Sequence, residues 1–150
     1  MYKKIIVATD GSSLSERGVD CAIDFAKSVN AELFIVTVTN PIPGYGANVS
    51  TEWIATASTL EEYSKEMNAG AKKILDQAKS KAIAAGLTEI HVVHAEHQLP
   101  SHGIIDAAKE YNADLIILAS HGRRGIKRVI LGSQAQEVLS LSEIPVLIIK

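Results

Sequence analysis

Hydrophobic residues along this chain occur in short continuous runs, and the runs alternate with longer segments in which apolar positions recur every three or four residues. The continuous runs lack polar alternation, which is typical of strands buried on both faces of a parallel sheet. The periodic segments predict helices, the first with Leu14, Gly18, Ala22, Phe25 and Val29 on one face. The predicted strands are 3–9, 33–38, 89–95, 115–118 and 144–149, and the predicted helices are 13–30, 59–85, 101–111 and 133–141.

Strands that alternate with helices in this way predict an α/β fold, an open five-stranded parallel sheet with helices on both faces. The chain has the length of one domain, so we expect residues 1–150 to form a single unit. Ligands of such sheets bind beyond the carboxyl ends of the strands, where the strand order reverses. Residues 40–56 are rich in proline and glycine and too long for a plain connection, which predicts a lid or a mobile excursion.

The composition and charge of the chain argue against several classes of function. The net charge of −2 gives no reason to expect a nucleic acid or an anionic membrane as partner. The apolar runs are far shorter than the ~18 residues of a transmembrane helix, and we expect no signal peptide. Cys21 has no second cysteine to pair with and lies on a helical apolar face. We therefore expect a small buried thiol and a cytoplasmic location.

The segment after the fourth predicted strand carries the main functional signal. From Ser120 to Ser133 it reads S-H-G-R-R-G-I-K-R-V-I-L-G-S, a glycine-containing basic loop. Ser133 and Gln136 form a capping-box pattern, which predicts that a helix begins there. The first turn of a helix offers unpaired N–H groups and a positive dipole end, and glycines let an anion approach the backbone. The pattern predicts a phosphate cradle, but it also fits an ordinary turn, because no P-loop or G-x-G-x-x-G motif is present.

Gly122, nine intervening residues and then Gly132-Ser133 resemble the nucleotide-binding signature of the universal stress protein family, G-x2-G-x9-G-[ST]. The first glycine of that signature is Ala119 here. The resemblance covers the full chain and implies an adenine-nucleotide alpha-hydrolase-like sheet with strand order 3-2-1-4-5. It further implies a dimeric, cytoplasmic regulator of the stress response that binds ATP, with or without Mg²⁺. At most slow ATP hydrolysis is expected, because residue spacing shows no committed catalytic apparatus.

The same resemblance assigns a set of residues to the nucleotide. The strand order brings Asp10, at the end of the first strand, to the same crevice as the phosphate loop, near the adenine. Its other interpretation is a turn residue that caps the first helix through its side chain. The backbones of Ala8 and Val38 lie near the base, and His121 donates to a phosphate or orients it. The predicted nucleotide-binding residues are Ala8, Asp10, Val38, Ala119, His121, Gly122, Arg123, Gly132, Ser133 and Gln134.

Ala119 leaves other functions open. If the family glycine has a positive φ, alanine costs ~1–2 kcal/mol there, and a methyl group beside a ribose intrudes on the ligand. Hydrogen bonds to phosphates are worth roughly 1.5–3 kcal/mol each, so we expect weakened binding rather than none. The alternative function is a nucleotide-free dimer that acts as an interaction or chaperone-like module and docks partners on residues 41–54. A third is an ATPase or phosphotransferase that uses Asp10 or His121.

The remaining motifs concern metal binding and assembly. His91, His94 and His97 are three residues apart, but His94 faces away from the other two on a strand, so no metal site is predicted. The last strand contains Val146, Leu147, Ile148 and Ile149, and an apolar edge of this kind aggregates unless it is paired or covered. The resemblance implies a homodimer in which this strand pairs with its copy across a two-fold axis. The alternative is that the proline-rich loop covers the edge of this strand.

Overall fold

The computed structural model describes residues 2–41, 57–121 and 131–150. Strands and helices alternate within these residues as the hydrophobic pattern predicts. The elements are β1 Lys4–Ala8, α1 Ser13–Val29, β2 Glu32–Thr39, α2 Ala57–Ala84, β3 Ile90–Glu96, α3 Pro100–Glu110, β4 Leu115–Ala119, α4 Ser133–Leu141 and β5 Val146–Ile149. Most of the proline-rich segment, for which a lid was predicted, lies outside the described residues.

The five strands form one parallel sheet in the order β3-β2-β1-β4-β5, which confirms the prediction. The central strand β1 pairs with β2 on one side and with β4 on the other, so that Ile6 lies between Phe34 and Ile116. From β1 the chain moves outward to β2 and β3, then returns to place β4 and β5 on the opposite side. The order therefore reverses between β1 and β4, which is where such sheets bind ligands.

Alternation along the buried strands gives the protein two apolar layers. Ile5 and Val7 of β1 face α1 and α2, whereas Ile6 faces α3 and α4. All three side chains are fully buried, as the continuous apolar run predicts. Cys21 of α1, expected to be buried, is partly exposed, because it lies at the margin of the helix face that packs on the sheet.

Two of the predicted helices begin at the observed residue, and the other two are predicted to begin one or two residues later than they do. The N-cap of α1 is Ser12, whose hydroxyl accepts a hydrogen bond from the Ser15 N–H. The capping box predicted at Ser133 is wrong, because Gly132 is the N-cap of α4 and Ser133 is the first helical residue. Gly132 has no side chain that could accept a hydrogen bond, so the N-cap residue pairs none of the N–H groups in the first turn of α4 through a side chain. None of the described helices combines the length and the apolar character needed to cross a bilayer.

Candidate functional site

Two connections meet at the carboxyl ends of the central strands. β1 runs into the turn that leads to α1, and β4 runs into Ser120 and His121. Val7 and Ile117 are register partners, so the two strands end side by side. The described part of the candidate site consists of these two strand ends and the first turn of α4.

Buried hydroxyl groups hold the β1–α1 turn. The Thr37 hydroxyl donates to the Thr9 carbonyl at 2.7 Å, and the Ser15 hydroxyl donates to the Ser12 carbonyl at 3.0 Å. The Thr9 hydroxyl therefore donates its own hydrogen to Ser15 Oγ, 3.0 Å away, and accepts the Gly11 N–H. Gly11 has a φ of 74°, a conformation that favours glycine. Each of these hydroxyls is satisfied by a partner in the turn or beside it, so the network fixes the shape of the turn.

Asp10 lies within this turn and takes the structural role that was the alternative to ligand binding. Its Oδ1 accepts a hydrogen bond from the Ser12 N–H at 3.0 Å, which closes the turn ahead of α1. The side chain is half-buried at the carboxyl end of β1. Contact between Asp10 and an adenine stays a prediction.

Gly132 closes the connection between β4 and α4. Its N–H donates to the Ser120 carbonyl at 2.7 Å, and the Ser120 N–H in turn donates to Ile149 at 2.8 Å. A Cβ at Gly132 would lie 3.0 Å from the Ser120 oxygen and 3.2 Å from His121 Cα, so any side chain here requires the neighbouring backbone to shift by a few tenths of an ångström. The predicted phosphate residues Gly122 and Arg123 lie outside the described residues.

The first turn of α4 carries N–H groups that the helix itself does not pair. Gln136 donates its N–H to the Gly132 carbonyl, the first hydrogen bond of the helix. Helix geometry therefore gives the N–H groups of Ser133, Gln134 and Ala135 no acceptor within the helix. The Gln134 side chain points toward α3, where its Oε1 accepts the Ser101 N–H at 2.8 Å. The side-chain amide of Gln134 is therefore engaged with α3, and contact between its backbone N–H and a phosphate stays a prediction.

Ala119, the departure from the glycine signature, is the last residue of a regular strand. Among the described non-glycine residues only Asn30 and Asn112 have a positive φ, so the expected backbone strain at Ala119 is absent. Its side chain is 8% exposed and, by strand alternation, shares the α1 face of the sheet with Ile117. The loss of affinity expected from a methyl group beside a ribose stays a prediction.

The two residues expected near the base lie at the ends of neighbouring strands. Ala8 ends β1, and Val38 precedes the last residue of β2. Helix α3 packs tightly on Val38, since a Cβ at Gly103 would lie only 2.7 Å from Val38 Cγ1. This contact fixes the Val38 side chain and leaves its backbone at the carboxyl edge of the sheet.

The three spaced histidines have separate partners. His91 stacks on Phe34 with ring centroids 4.5 Å apart, while His94 Nε2 lies 2.8 Å from Thr39 Oγ1. His97 Nδ1 accepts the Leu99 N–H at 2.9 Å. Within the described ranges, no three His, Cys, Asp or Glu side chains are grouped to hold a metal ion.

A cavity of about 330 Å³ lies at the amino edge of the sheet, opposite the candidate site. Its walls come from the ends of α1 and α2 and include Lys27, Asn30 and Glu89. None of the predicted site residues lines it. We place the functional site at the carboxyl edge because the strand order reverses there and the open helix terminus lies there.

Comparison with known proteins gives consistent matches over the whole chain. The model of the universal stress protein family matches residues 1–150. The universal stress protein YxiE of Bacillus subtilis (strain 168) is 33% identical over 150 residues, with both chains fully covered. Universal stress protein MJ0531 of Methanocaldococcus jannaschii is 31% identical over all of this chain and 83% of its own length. A solved structure of a universal stress protein in complex with cAMP is 32% identical, with a TM-score of 0.72 over 99% of this chain and 97% of the other.

Proposed function

Since the chain belongs to the universal stress protein family, we propose that it binds an adenine nucleotide at the carboxyl ends of β1 and β4. The relative in complex with cAMP supports this assignment, because it is 32% identical and matches almost the whole chain. The base would lie against the β1–α1 turn with Asp10 and the backbones of Ala8 and Val38. The phosphates would lie at the first turn of α4.

The approach of Gly132 to Ser120 is the observation that carries the proposal. The 2.7 Å hydrogen bond between them draws the start of α4 up to the end of β4, where no Cβ would fit without displacing the neighbouring backbone. The N–H groups of Ser133, Gln134 and Ala135 then face the edge where the strand order reverses. Backbone donors and the positive end of a helix dipole at such a position suit a phosphate. Gly122, Arg123 and His121 complete the proposed phosphate contacts.

We propose ATP as the nucleotide, because a basic loop and a helix terminus together suit several phosphates. Mg²⁺ in proteins is usually bound through one or two carboxylates together with waters and substrate phosphates. Asp10 offers one carboxylate at this edge, and the described residues contain no group able to hold a metal without the nucleotide. Any Mg²⁺ would therefore enter with the phosphates.

Thermal unfolding with ATP, cAMP and adenosine tests the proposal. A ligand at 100 times its Kd adds about 2.7 kcal/mol to the free energy of unfolding. For a domain of this size that raises Tm by roughly 5–11 °C, at ~2–4 °C per kcal/mol. We expect the largest shift with ATP and the smallest with adenosine, and repeating the ATP melt with Mg²⁺ or EDTA tests the metal. Absence of a shift with all three ligands at millimolar concentration would refute nucleotide binding.

We also propose that the protein forms a homodimer through β5, the strand of Val146, Leu147, Ile148 and Ile149. β5 is the last strand in the sheet order, so its outer edge has no partner strand within the described residues. Leu139 and Leu141 of α4 and Leu147 of β5 are large exposed hydrophobic side chains in this part of the molecule. A second copy that pairs along β5 would cover the edge and bury apolar surface.

A further inference from the structure

Helix α3 begins without a side-chain cap of its own. Its N-cap is Leu99, which cannot accept a hydrogen bond through its side chain, and Pro100 occupies the first turn. The missing acceptor comes from another helix, because Gln134 Oε1 of α4 accepts the Ser101 N–H at 2.8 Å. A residue at the start of α4 therefore caps the start of α3.

The Ser101 side chain makes a second connection to α4. Its hydroxyl is fully buried and donates to Glu137 Oε2 at 2.7 Å, and His102 Nδ1 lies farther from it, at 3.4 Å. A short hydrogen bond to a carboxylate is among the stronger kinds in proteins. The Glu137 carboxylate also lies beside the first turn of α3, where negative charge is favoured.

Gln134 and Glu137 are three residues apart and therefore share one face of α4. Through its N–H and its hydroxyl, Ser101 binds both of them and fixes two points on that face. Neither contact uses a backbone N–H of the first turn of α4. These donors are left for a ligand while the helix that carries them is held from the side.

We propose that Ser101 is a positioning residue for the phosphate site, which it never touches. It sets the orientation of the first turn of α4 through the side chains of Gln134 and Glu137, and so determines how well the N–H groups there meet a phosphate. The inference rests on the proposed function, because it assigns the phosphate site to that turn. Gly132 fixes where α4 begins, and Ser101 fixes its direction.

The Ser101→Ala variant tests this role by calorimetric titration with cAMP and with adenosine, which has the base and ribose but no phosphate. We expect cAMP to bind about tenfold more weakly, which corresponds to ~1.4 kcal/mol, and adenosine to bind within about twofold of the wild type. The matched control is Ser140→Ala, since the Ser140 hydroxyl donates to Gln136 within α4 itself. This control should leave both affinities unchanged.

The pattern across ligands separates positioning from stability. A variant that is only less stable would lose affinity equally for cAMP and adenosine, or for neither, and either result overturns the inference. Glu137→Gln retains an acceptor and should restore most of the cAMP affinity that Glu137→Leu loses. If Ser101→Ala does not fold, Gln134→Ala gives the same test, because it keeps the backbone N–H and removes the cap of α3. A wild-type protein that binds neither ligand would instead refute the proposed function.

Discussion

A single methyl group added at Gly132 is the sharpest test of the site. Gly132 has φ −61° and ψ 151°, an extended conformation that alanine adopts without strain. A destabilising effect of Gly132→Ala must therefore come from the space around the new Cβ, because alanine otherwise stabilises by reducing the freedom of the unfolded chain. That atom would lie 3.0 Å from the Ser120 oxygen and 3.2 Å from His121 Cα, closer than the 3.4 Å at which ordinary van der Waals contact begins.

The crowding has to move backbone, because the atoms it meets belong to the end of β4. The same Ser120 oxygen accepts the Gly132 N–H at 2.7 Å, so relief of the contact lengthens that hydrogen bond. Overpacking of this kind costs roughly 1–3 kcal/mol. At ~2–4 °C per kcal/mol, Tm should fall by about 2–12 °C. Displacement of the first turn of α4 should also weaken ATP binding about tenfold or more, at ~1.4 kcal/mol per decade.

Gly70→Ala is the matched control, since it adds the same methyl group to an exposed position inside α2. A Cβ at Gly70 meets no atom within 4 Å. Alanine is the better helix former, so this variant should gain about 0.5–1 kcal/mol of stability and keep its affinity for ATP. Thermal melts and calorimetric titration of both variants provide the comparison. A Gly132→Ala protein with wild-type Tm and affinity would show that the ends of β4 and α4 are not in close contact. A lower Tm with unchanged affinity would show that the phosphates do not bind at the first turn of α4.

Three further substitutions test neighbouring parts of the structure. Gly103→Ala should lower Tm, because its Cβ would lie 2.7 Å from Val38 Cγ1; melts measure this, and an unchanged Tm would contradict the packing of α3 on β2. Ala119→Gly should cost about 0.5–1 kcal/mol of stability, because glycine gives the unfolded chain greater freedom. It should not tighten ATP binding. A lower Kd by calorimetry would show that a glycine at this position favours the ligand. Leu147→Lys should convert the proposed dimer to a monomer in sedimentation equilibrium. The control Ile83→Lys should stay dimeric, although the Ile83 side chain on α2 is more exposed than that of Leu147 (57% against 37%). A dimeric Leu147→Lys protein would refute assembly through β5.

The elements of the fold could be predicted from the sequence because every strand except β3 is largely a continuous apolar run. Ile5, Ile6 and Val7 of β1 are fully buried although they face opposite sides of the sheet, a pattern typical of strands in a parallel sheet. The strand order could not be predicted in the same way. Hydrophobic pattern records how deeply a strand is buried and not which strands are its neighbours, so the order came from the resemblance alone.

The details of the site were less accessible, for physical reasons that differ between residues. The capping pattern at Ser133 is one residue out of register because a glycine in extended conformation can serve as N-cap, and no local signal marks it. The Thr9, Ser15 and Thr37 network was missed because Thr37 lies 28 residues along the chain from Thr9. Thr37 within an apolar strand was the available signal, since a buried hydroxyl needs a partner. The contacts of Ser101 with α4 depend on helix packing and left no trace in either helix alone.

The structure shows different physical constraints at two positions of the glycine signature, Gly132 and Ala119. At Gly132 a Cβ would come within 3.0 Å of a neighbouring carbonyl oxygen, so any other residue type requires the backbone there to shift. Ala119 stands in a regular strand, with its methyl group on the face that packs against α1. An alanine is compatible with the backbone at that position, so strain supplies no argument for a nucleotide-free module. The signature is therefore best judged one position at a time, by the atoms that a side chain would meet there. By that criterion the chain keeps the constraint that shapes the proposed phosphate site.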